Sequence, residues 1–197
     1  MDFITSLPKY KGKSVIMVAV DRLTKYAHFC ALSHPFKAST IANTFIDTIQ
    51  KLHGNPRVIV SDRDPIFTGN FWTELFSCLG TQLADSSSYH PQFDCQNEIV
   101  NKCLEGYLRC FVSDKQTKWV KWLALAEWWY NTSFHTVAKK TPFMTLYGYH
   151  PPSITSSLRE HSKVQAMEDH IEHQQEVLQL LKDNLNLVHN RMKQQAD

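Results

Sequence analysis

Three carboxylates in this 197-residue chain stand at positions from which a fold can bring them together. Asp2 lies in the first short apolar run, Asp62 directly follows another, and Glu98 lies in the first turn of a predicted helix. Mg²⁺ and Mn²⁺ prefer hard oxygen ligands, so carboxylates from different elements suit them. Two such ions about 4 Å apart activate the attacking oxygen and stabilise the leaving oxygen in phosphoryl transfer. A second interpretation stays open, because most acidic side chains are simply solvated.

Two polar residues follow Glu98 on the same predicted helix. Asn101 and Lys102 come three and four positions later, which places them on the helical face of Glu98. An amide and an ammonium group on that face are suited to contact a phosphate of a nucleic-acid backbone. A solvated helix face is the other interpretation of this pair.

The first elements that must position these residues are strands. The β-branched and apolar runs 2–5 and 14–21 are separated by Pro8, a lysine-rich stretch and Gly12. This pattern predicts two strands joined by a turn, and residues 27–32 predict a third.

A helix and a buried strand follow. Apolar residues recur at intervals of three and four over residues 38–53, and Gly54 follows as a stop, so this segment is predicted to be an amphipathic helix. Residues 58–60 are predicted to form a buried strand that ends at the polar residues 61–65. Open α/β sheets place their ligand sites at such strand ends.

The rest of the first 153 residues predicts mainly helices. The predicted elements are a helix over 70–79, a strand over 82–84, a loop over 85–94, and helices over 96–111 and 118–130. A further helix has Thr141 as its cap, Pro142 in its first turn and Gly148 as its stop. This order indicates an α/β domain with a mixed sheet, which by itself names no function.

Composition excludes several classes of protein. The five cysteines are an odd set without a C-x-x-C pair, which argues against a disulfide framework and a structural zinc site. A run of about 18 uncharged apolar residues is absent, and the first residues do not resemble a signal peptide. We therefore expect a soluble intracellular protein with no membrane partner. The net charge of +2 does not by itself indicate nucleic-acid binding, although lysines cluster locally.

Several short motifs together resemble the integrase catalytic core of gypsy-type LTR retrotransposons, relatives of retroviral integrases and DDE transposases. The second and third catalytic acids of that family are separated by 35 residues, as Asp62 and Glu98 are here. The matching motifs are Met1-Asp2-Phe3-Ile4, Val20-Asp21-Arg22-Leu23-Thr24-Lys25, Ile59-Val60-Ser61-Asp62-Arg63-Asp64-Pro65, His90-Pro91-Gln92, Trp129-Tyr130-Asn131-Thr132-Ser133 and Thr141-Pro142-Phe143.

The resemblance implies a fold, a site and a reaction. The implied fold is RNase H-like, with a mixed five-stranded sheet flanked by helices over residues 1–153 and a helical extension, including a long C-terminal helix, over 154–197. Asp2, Asp62 and Glu98 are implied to bind two Mg²⁺ or Mn²⁺ ions. The implied reaction is 3′-end processing of the element's DNA, followed by strand transfer into target DNA.

The resemblance also implies partners and a place of action. DNA is the expected partner, a homo-oligomer is the expected state, and the enzyme is expected to act in the nucleus after synthesis in the cytoplasm as part of a polyprotein. His90 and Gln92 resemble a loop that precedes the catalytic helix and touches DNA, and Asn101 and Lys102 match DNA-contacting positions.

Two departures from the family favour an alternative, a decayed core that only binds DNA or supports assembly. Phe93 and Cys95 replace a small polar residue and a glycine, and a side chain at position 95 is strained if that position needs a positive φ. The chain starts one residue before Asp2, so the first strand lacks the residues that normally precede it, and terminal residues fray. A cellular RNase H-type nuclease is a third hypothesis, but it lacks the motif matches.

The tail predicts one long pairing helix. Its apolar residues alternate at three and four, the two-in-seven seam of a coiled coil, with Gln174 as the polar exception. The seam residues are Val164, Met167, Ile171, Gln174, Leu178, Leu181, Leu185, Val188 and Met192. A linker helix that packs on its own domain is the competing interpretation.

Overall fold

The computed structural model describes residues 1–61, 67, 69–85, 94–111, 118–135, 138–152 and 176, with residues 85, 94–98, 110 and 111 described by their backbone. The strands are β1 (Asp2–Ile4), β2 (Val15–Val20), β3 (Ala27–Leu32), β4 (Val58–Ser61) and β5 (Gln82–Asp85). The helices are α1 (Ala38–Phe45), α2 (Lys51–His53), α3 (Asn70–Cys78), α4 (Asp94–Phe111), α5 (Trp119–Thr132) and α6 (Pro142–Tyr147).

The strands form two hydrogen-bonded sheets. β1 pairs antiparallel with β2, placing Asp2 opposite Val18, and β2 pairs antiparallel with β3. β4 and β5 form a separate parallel pair. The prediction of one five-stranded sheet is therefore corrected for the described residues, because β1 has three residues and pairs only with β2. The Met1 amino group donates to the Val60 carbonyl oxygen at 2.6 Å, so the sheets meet at β1 and β4.

Side chains of the three-stranded sheet alternate between two apolar layers, as the period of two requires. One layer contains Ile16, Val18 and Phe29, packed with buried residues of α4 and α5. The other contains Val15 and Met17, packed with buried residues of α1 and α3. The helices therefore cover both faces, as in the predicted α/β class.

The predicted helix over 38–53 is confirmed as a continuous helical stretch with a change of pitch. α1 leads into a π-helical segment, Ile46–Gln50, and then into α2. Gly54 follows with φ of 76°, a left-handed value that glycine adopts without steric penalty. The predicted stop thus lies where the backbone geometry requires it.

Helix α5 protects the outer edge of β3. The Asn131 side chain, which is 1% exposed, accepts a hydrogen bond from Ala27 N and donates one to Ala27 O, both at 2.8 Å. One turn earlier, Glu127 accepts a hydrogen bond from Phe29 N at 2.8 Å. Two polar side chains thus satisfy backbone groups that an edge strand otherwise exposes for pairing with other chains.

The last described elements match the predicted signals. Thr141 Oγ1 accepts a hydrogen bond from Met144 N at 3.1 Å, and Pro142 is in the first turn of α6. Gly148 ends the helix with φ of 80°. The long C-terminal helix and the boundary predicted at 153 lie outside the described residues, apart from helical Glu176. Within the described part of the chain, no helix combines the length and apolarity needed to cross a bilayer.

Candidate active site

Asp2 is held in a fixed orientation at the start of β1. Its Oδ1 atom accepts a hydrogen bond from Phe3 N at 2.8 Å, and its Oδ2 atom accepts one from Asn101 Nδ2 at 2.5 Å. The side chain is half-buried, on the side of the sheet that faces α4. A carboxylate with one donor on each oxygen loses rotational freedom and keeps its remaining lone pairs for a further ligand.

Asn101 has an acceptor without a partner. Its Oδ1 atom is buried and makes no hydrogen bond within the described residues. The opposite amide orientation would place Oδ1 against the Asp2 carboxylate, so the assigned one is electrostatically favoured. A buried acceptor that lacks a donor requires a physical explanation. Bound water is one such donor.

The elements that meet at Asp2 also carry or directly precede the other two predicted acids. Glu98 lies three residues before Asn101 in α4, on the same face and about one helical turn away. Asp62 directly follows Ser61, the last residue of β4, which meets β1 through the hydrogen bond of Met1. The Glu98 side chain and the whole of Asp62 lie outside the described parts.

The predicted site residues thus divide into two groups. The structure brings Asp2 and Asn101 together, and it places Lys102 on α4 with an exposed side chain. His90 and Gln92 lie outside the described residues. In the part of the chain that is described, no group of three or more His, Cys, Asp or Glu residues is arranged so that it could hold a metal ion. The complete triad therefore remains a prediction.

The expected strain at Cys95 is not present. Helix α4 begins at Asp94, so Cys95 has helical backbone geometry. The described non-glycine residues with positive φ are Ser6, Lys11, Lys25 and Lys139. The Asp2 carboxylate is hydrogen-bonded to Phe3 N and Asn101 Nδ2, and the expected fraying of the first strand stays a prediction. The helical backbone at Cys95 thus removes one argument for a decayed site.

A polar network that the sequence pattern did not indicate links α5, β3 and α2. Glu127 Oε1 lies 3.1 Å from His28 Nδ1, and His28 Nε2 lies 2.9 Å from His53 Nε2. Since the carboxylate accepts the Nδ1 proton, His28 Nε2 is left to accept the proton of His53. Burial and, secondarily, His28 lower the pKa of His53, while Asp21 opposes the shift. Only long-range packing brings these residues together, so no local motif could reveal them.

A cavity of about 470 Å³ adjoins this network. Its walls include Val20 of β2, Ile49 and His53 of the helical stretch, and Val58 of β4. Val58 is 42% exposed, which corrects the prediction that its strand is fully buried. β4 pairs with β5 along one edge, and the opposite edge beside Val58 borders the cavity.

Solved structures with the same arrangement define the class of the fold. The HTLV-2 integrase catalytic core domain, in a trimeric form with magnesium, aligns with a TM-score of 0.57 at 16% identity, covering 73% of this chain and 93% of that one. The BIV integrase core aligns with a TM-score of 0.57 at 20% identity, covering 75% and 93% of the two chains. The fold is therefore that of a retroviral integrase catalytic core, which is RNase H-like.

Sequence relatives of the chain are retrotransposon polyproteins. The chain is 32% identical over all 197 residues to the transposon Tf2-3 polyprotein of Schizosaccharomyces pombe, and equally to the Tf2-4 polyprotein. It spans 15% of the length of these relatives. No protein-family model matches it. Because these relatives are retrotransposon polyproteins and the solved structures are integrase catalytic cores, the comparisons confirm the resemblance seen in the motifs of this chain.

Proposed function

We propose that this chain is the catalytic core of an integrase that joins the DNA ends of a retrotransposon to target DNA. One observation carries the proposal. The Asp2 carboxylate is hydrogen-bonded to Asn101, on the helix that bears Glu98, at the strand junction that leads into Asp62. Elements that carry or directly precede the three predicted acids therefore meet in one region, which supports a phosphoryl-transfer site there.

The donor set fits a hydrated divalent cation. Asp2, Asp62 and Glu98 would hold Mg²⁺ or Mn²⁺ through hard oxygen atoms. The buried Asn101 Oδ1, which lacks a described donor, suits a water molecule of a hydrated ion. When bound, two ions lower the charge barrier to attack on a phosphodiester. A relative of the same fold was solved in complex with magnesium, which supports this cofactor.

The residues of this chain contribute mainly orientation. The Phe3 amide and Asn101 fix the Asp2 carboxylate before substrate arrives, so that little reorganisation accompanies the reaction. Lys102, one position further along α4, is placed to contact a DNA phosphate, and His90 and Gln92 contribute contacts from the preceding segment. Water would attack the phosphorus of a phosphodiester near the 3′ end of the element's DNA, and the 3′ oxygen of the retained strand would leave as a 3′ hydroxyl. That hydroxyl would then attack a phosphorus in the target strand and displace the 3′ oxygen bonded to it.

Strand transfer is the direct test of this function. Duplexes that carry the element's terminal repeat would be incubated with a target plasmid and Mn²⁺, and joined products counted by sequencing. The wild type should form joined products, whereas Glu98→Gln should form none. Asp47→Asn is the matched control, because Asp47 is an exposed acid on the π-helical segment. Equal joining by wild type and Glu98→Gln would refute the proposal, and DNA binding without joining would favour the decayed module.

We further propose that the core acts as a homo-oligomer in the nucleus, where target DNA lies. Solved relatives include integrase cores described as trimeric and dimeric forms, and a simian T-cell lymphotropic virus intasome aligned with a TM-score of 0.63. Sedimentation of the full chain with and without DNA ends tests the oligomer. A monomer under both conditions would contradict it.

A further inference from the structure

We propose that five lysines, here named the lysine surface, bind the phosphate backbone of a DNA duplex that is engaged at the candidate active site. This inference rests on the proposed function and adds where the substrate's backbone would lie. Three members occupy the turn between β1 and β2, and two lie at the start of α5. The lysine surface consists of Lys9, Lys11, Lys13, Lys118 and Lys121.

A tertiary hydrogen bond brings the two lysine groups together. Trp119, a fully buried residue in the first turn of α5, donates from Nε1 to the Pro8 carbonyl oxygen at 2.7 Å. Lys118 precedes Trp119 directly, and Lys9 follows Pro8 directly. Two clusters that are more than 100 residues apart in sequence therefore meet on one side of the molecule.

The turn is held in shape by its own backbone. Tyr10 and Lys13 exchange two hydrogen bonds of 2.9 Å, and Leu7 N donates to Ser14 O at 3.3 Å. Lys11 occupies the tip with φ of 49°, and its Nζ atom lies 5.9 Å from the centre of the Tyr10 ring. A lysine presented by an ordered turn loses less entropy on binding than one on a loose loop.

Local charge distinguishes this surface from ordinary solvated lysines. Residues 3–20 contain no Asp or Glu, and neither do residues 118–126. The carboxylate of Glu127, the next acid in α5, is engaged by His28 and Phe29. Within the described residues none of the five lysines forms a salt bridge with a carboxylate. The whole chain carries a net charge of only +2. The five lysines, in segments without acidic residues, are therefore a local concentration of positive charge.

The position of the lysine surface suits a DNA duplex that is bound at the three predicted catalytic acids. Lys9 comes seven residues after Asp2, with the rest of β1 and residues 5–8 between them. At a rise of about 3.4 Å per residue, Lys9 lies at most roughly 24 Å from Asp2. Duplex DNA carries one negative charge per about 1.7 Å of axis, so a duplex that is bound at Asp2 and runs toward the turn presents several phosphates to it.

Salt-dependent binding without metal tests the lysine surface separately from catalysis. The full chain would be titrated with a short fluorescein-labelled duplex in EDTA, and anisotropy recorded at several salt concentrations. Gln would replace Lys9, Lys11 and Lys121 together, because all three side chains are exposed. The matched control replaces Lys37, Lys51 and Lys140, which are exposed and lie outside the lysine surface. Lys37 precedes α1, Lys51 begins α2 and Lys140 precedes the cap of α6.

The expected difference lies in the salt slope. Each lost phosphate contact lowers the slope of log K against log salt by about 0.9, so the lysine-surface variant should lose about 2 to 3. Its affinity should fall roughly tenfold or more at 50 mM salt, while the control keeps the wild-type slope. Arg at the same three positions should restore binding, and equal melting temperatures would show that all variants fold.

Several results would overturn the inference. Equal slopes for the two Gln variants, binding that does not respond to salt, or stronger binding of single-stranded RNA than of duplex DNA would each do so. Its failure is distinguishable from failure of the proposed function. Glu98→Gln should keep the salt slope while it loses strand transfer, and loss of the slope difference alone leaves the integrase proposal intact.

Discussion

Replacing Asn131 by Ala should destabilise the fold more than any substitution on the surface of α5. The amide side chain makes two hydrogen bonds to the backbone of Ala27, each 2.8 Å long, and the two residues are 1% and 0% exposed. Alanine removes both partners at once. Water cannot replace them without opening the contact between α5 and the edge of β3.

The magnitude follows from the two backbone groups left behind. An unsatisfied buried donor or acceptor costs about 1 to 3 kcal/mol, so the pair amounts to roughly 2 to 6 kcal/mol. Domains of this kind have free energies of unfolding of about 5 to 15 kcal/mol. The variant should therefore lose a large share of its stability, and it should expose the edge of β3 to pairing with other chains.

Urea unfolding followed by circular dichroism measures the loss as a lower midpoint at an unchanged slope. Asn43→Ala is the matched control, because Asn43 is an exposed asparagine inside α1, where Ala is slightly favourable. Asn131→Asp keeps the acceptor for Ala27 N but loses the donor to Ala27 O and buries a carboxylate beside that carbonyl, so at neutral pH it should destabilise the fold at least as much as Asn131→Ala. A loss below about 1 kcal/mol for Asn131→Ala would show that the bonds contribute no more than a solvated pair.

Three further predictions concern the site, the histidine pair and the tail. Asn101→Ala should weaken Mn²⁺ binding roughly 10- to 100-fold through loss of the donor to Asp2, as calorimetry would measure. Because burial lowers the pKa of His53, the unfolded chain binds more protons, so stability should fall as pH drops below about 6.5, and His53→Gln should flatten that dependence in urea titrations. Leu181→Glu should lower the sedimentation coefficient of the full chain if the tail pairs as a coiled coil.

Each of these three predictions would be contradicted by a specific result. Asn101→Ala with wild-type Mn²⁺ affinity would leave the hydrogen bond to Asp2 without a functional role. An identical pH dependence of His53→Gln and wild type would mean that the network with His28 does not titrate in this window. A full chain that stays monomeric, or a Leu181→Glu variant that associates as well as wild type, would contradict the coiled coil.

Local signals predicted the helices and strands because each signal acts within a few residues. The cap at Thr141, the stop at Gly148 and the periodicity before Gly54 all correspond to observed boundaries. The arrangement of the strands into sheets could not be predicted as well from the sequence. Whether β1 joins β4 in one ladder depends on pairing length and partners distant in sequence, which a pattern of alternating residues does not contain.

The candidate site likewise combines features that the sequence predicted with features that it did not. Spacing predicted that Asn101 lies on the face of Glu98 and contacts a nucleic-acid phosphate, and the DNA contact stays a prediction. The hydrogen bond from Asn101 to Asp2 joins elements that are distant in sequence, and the spacing did not predict it. The role of Asn131 was not foreseen, although it lies within a recognised motif, because a buried asparagine that pairs with a strand edge looks like any other polar residue. At Cys95 the expectation of strain failed, since the helix already begins at Asp94.

Mn²⁺ titration calorimetry tests most directly whether Asp2, Asp62 and Glu98 form one cation site. We expect the wild type to bind Mn²⁺, Asp62→Asn to lose that binding, and Asp47→Asn to bind Mn²⁺ as the wild type does. Neutralising one of several adjacent carboxylates should also raise the melting temperature of the metal-free protein while abolishing its metal-induced increase. Wild-type Mn²⁺ binding in Asp62→Asn would remove Asp62 from the site and contradict the proposal that the three acids form one cation site.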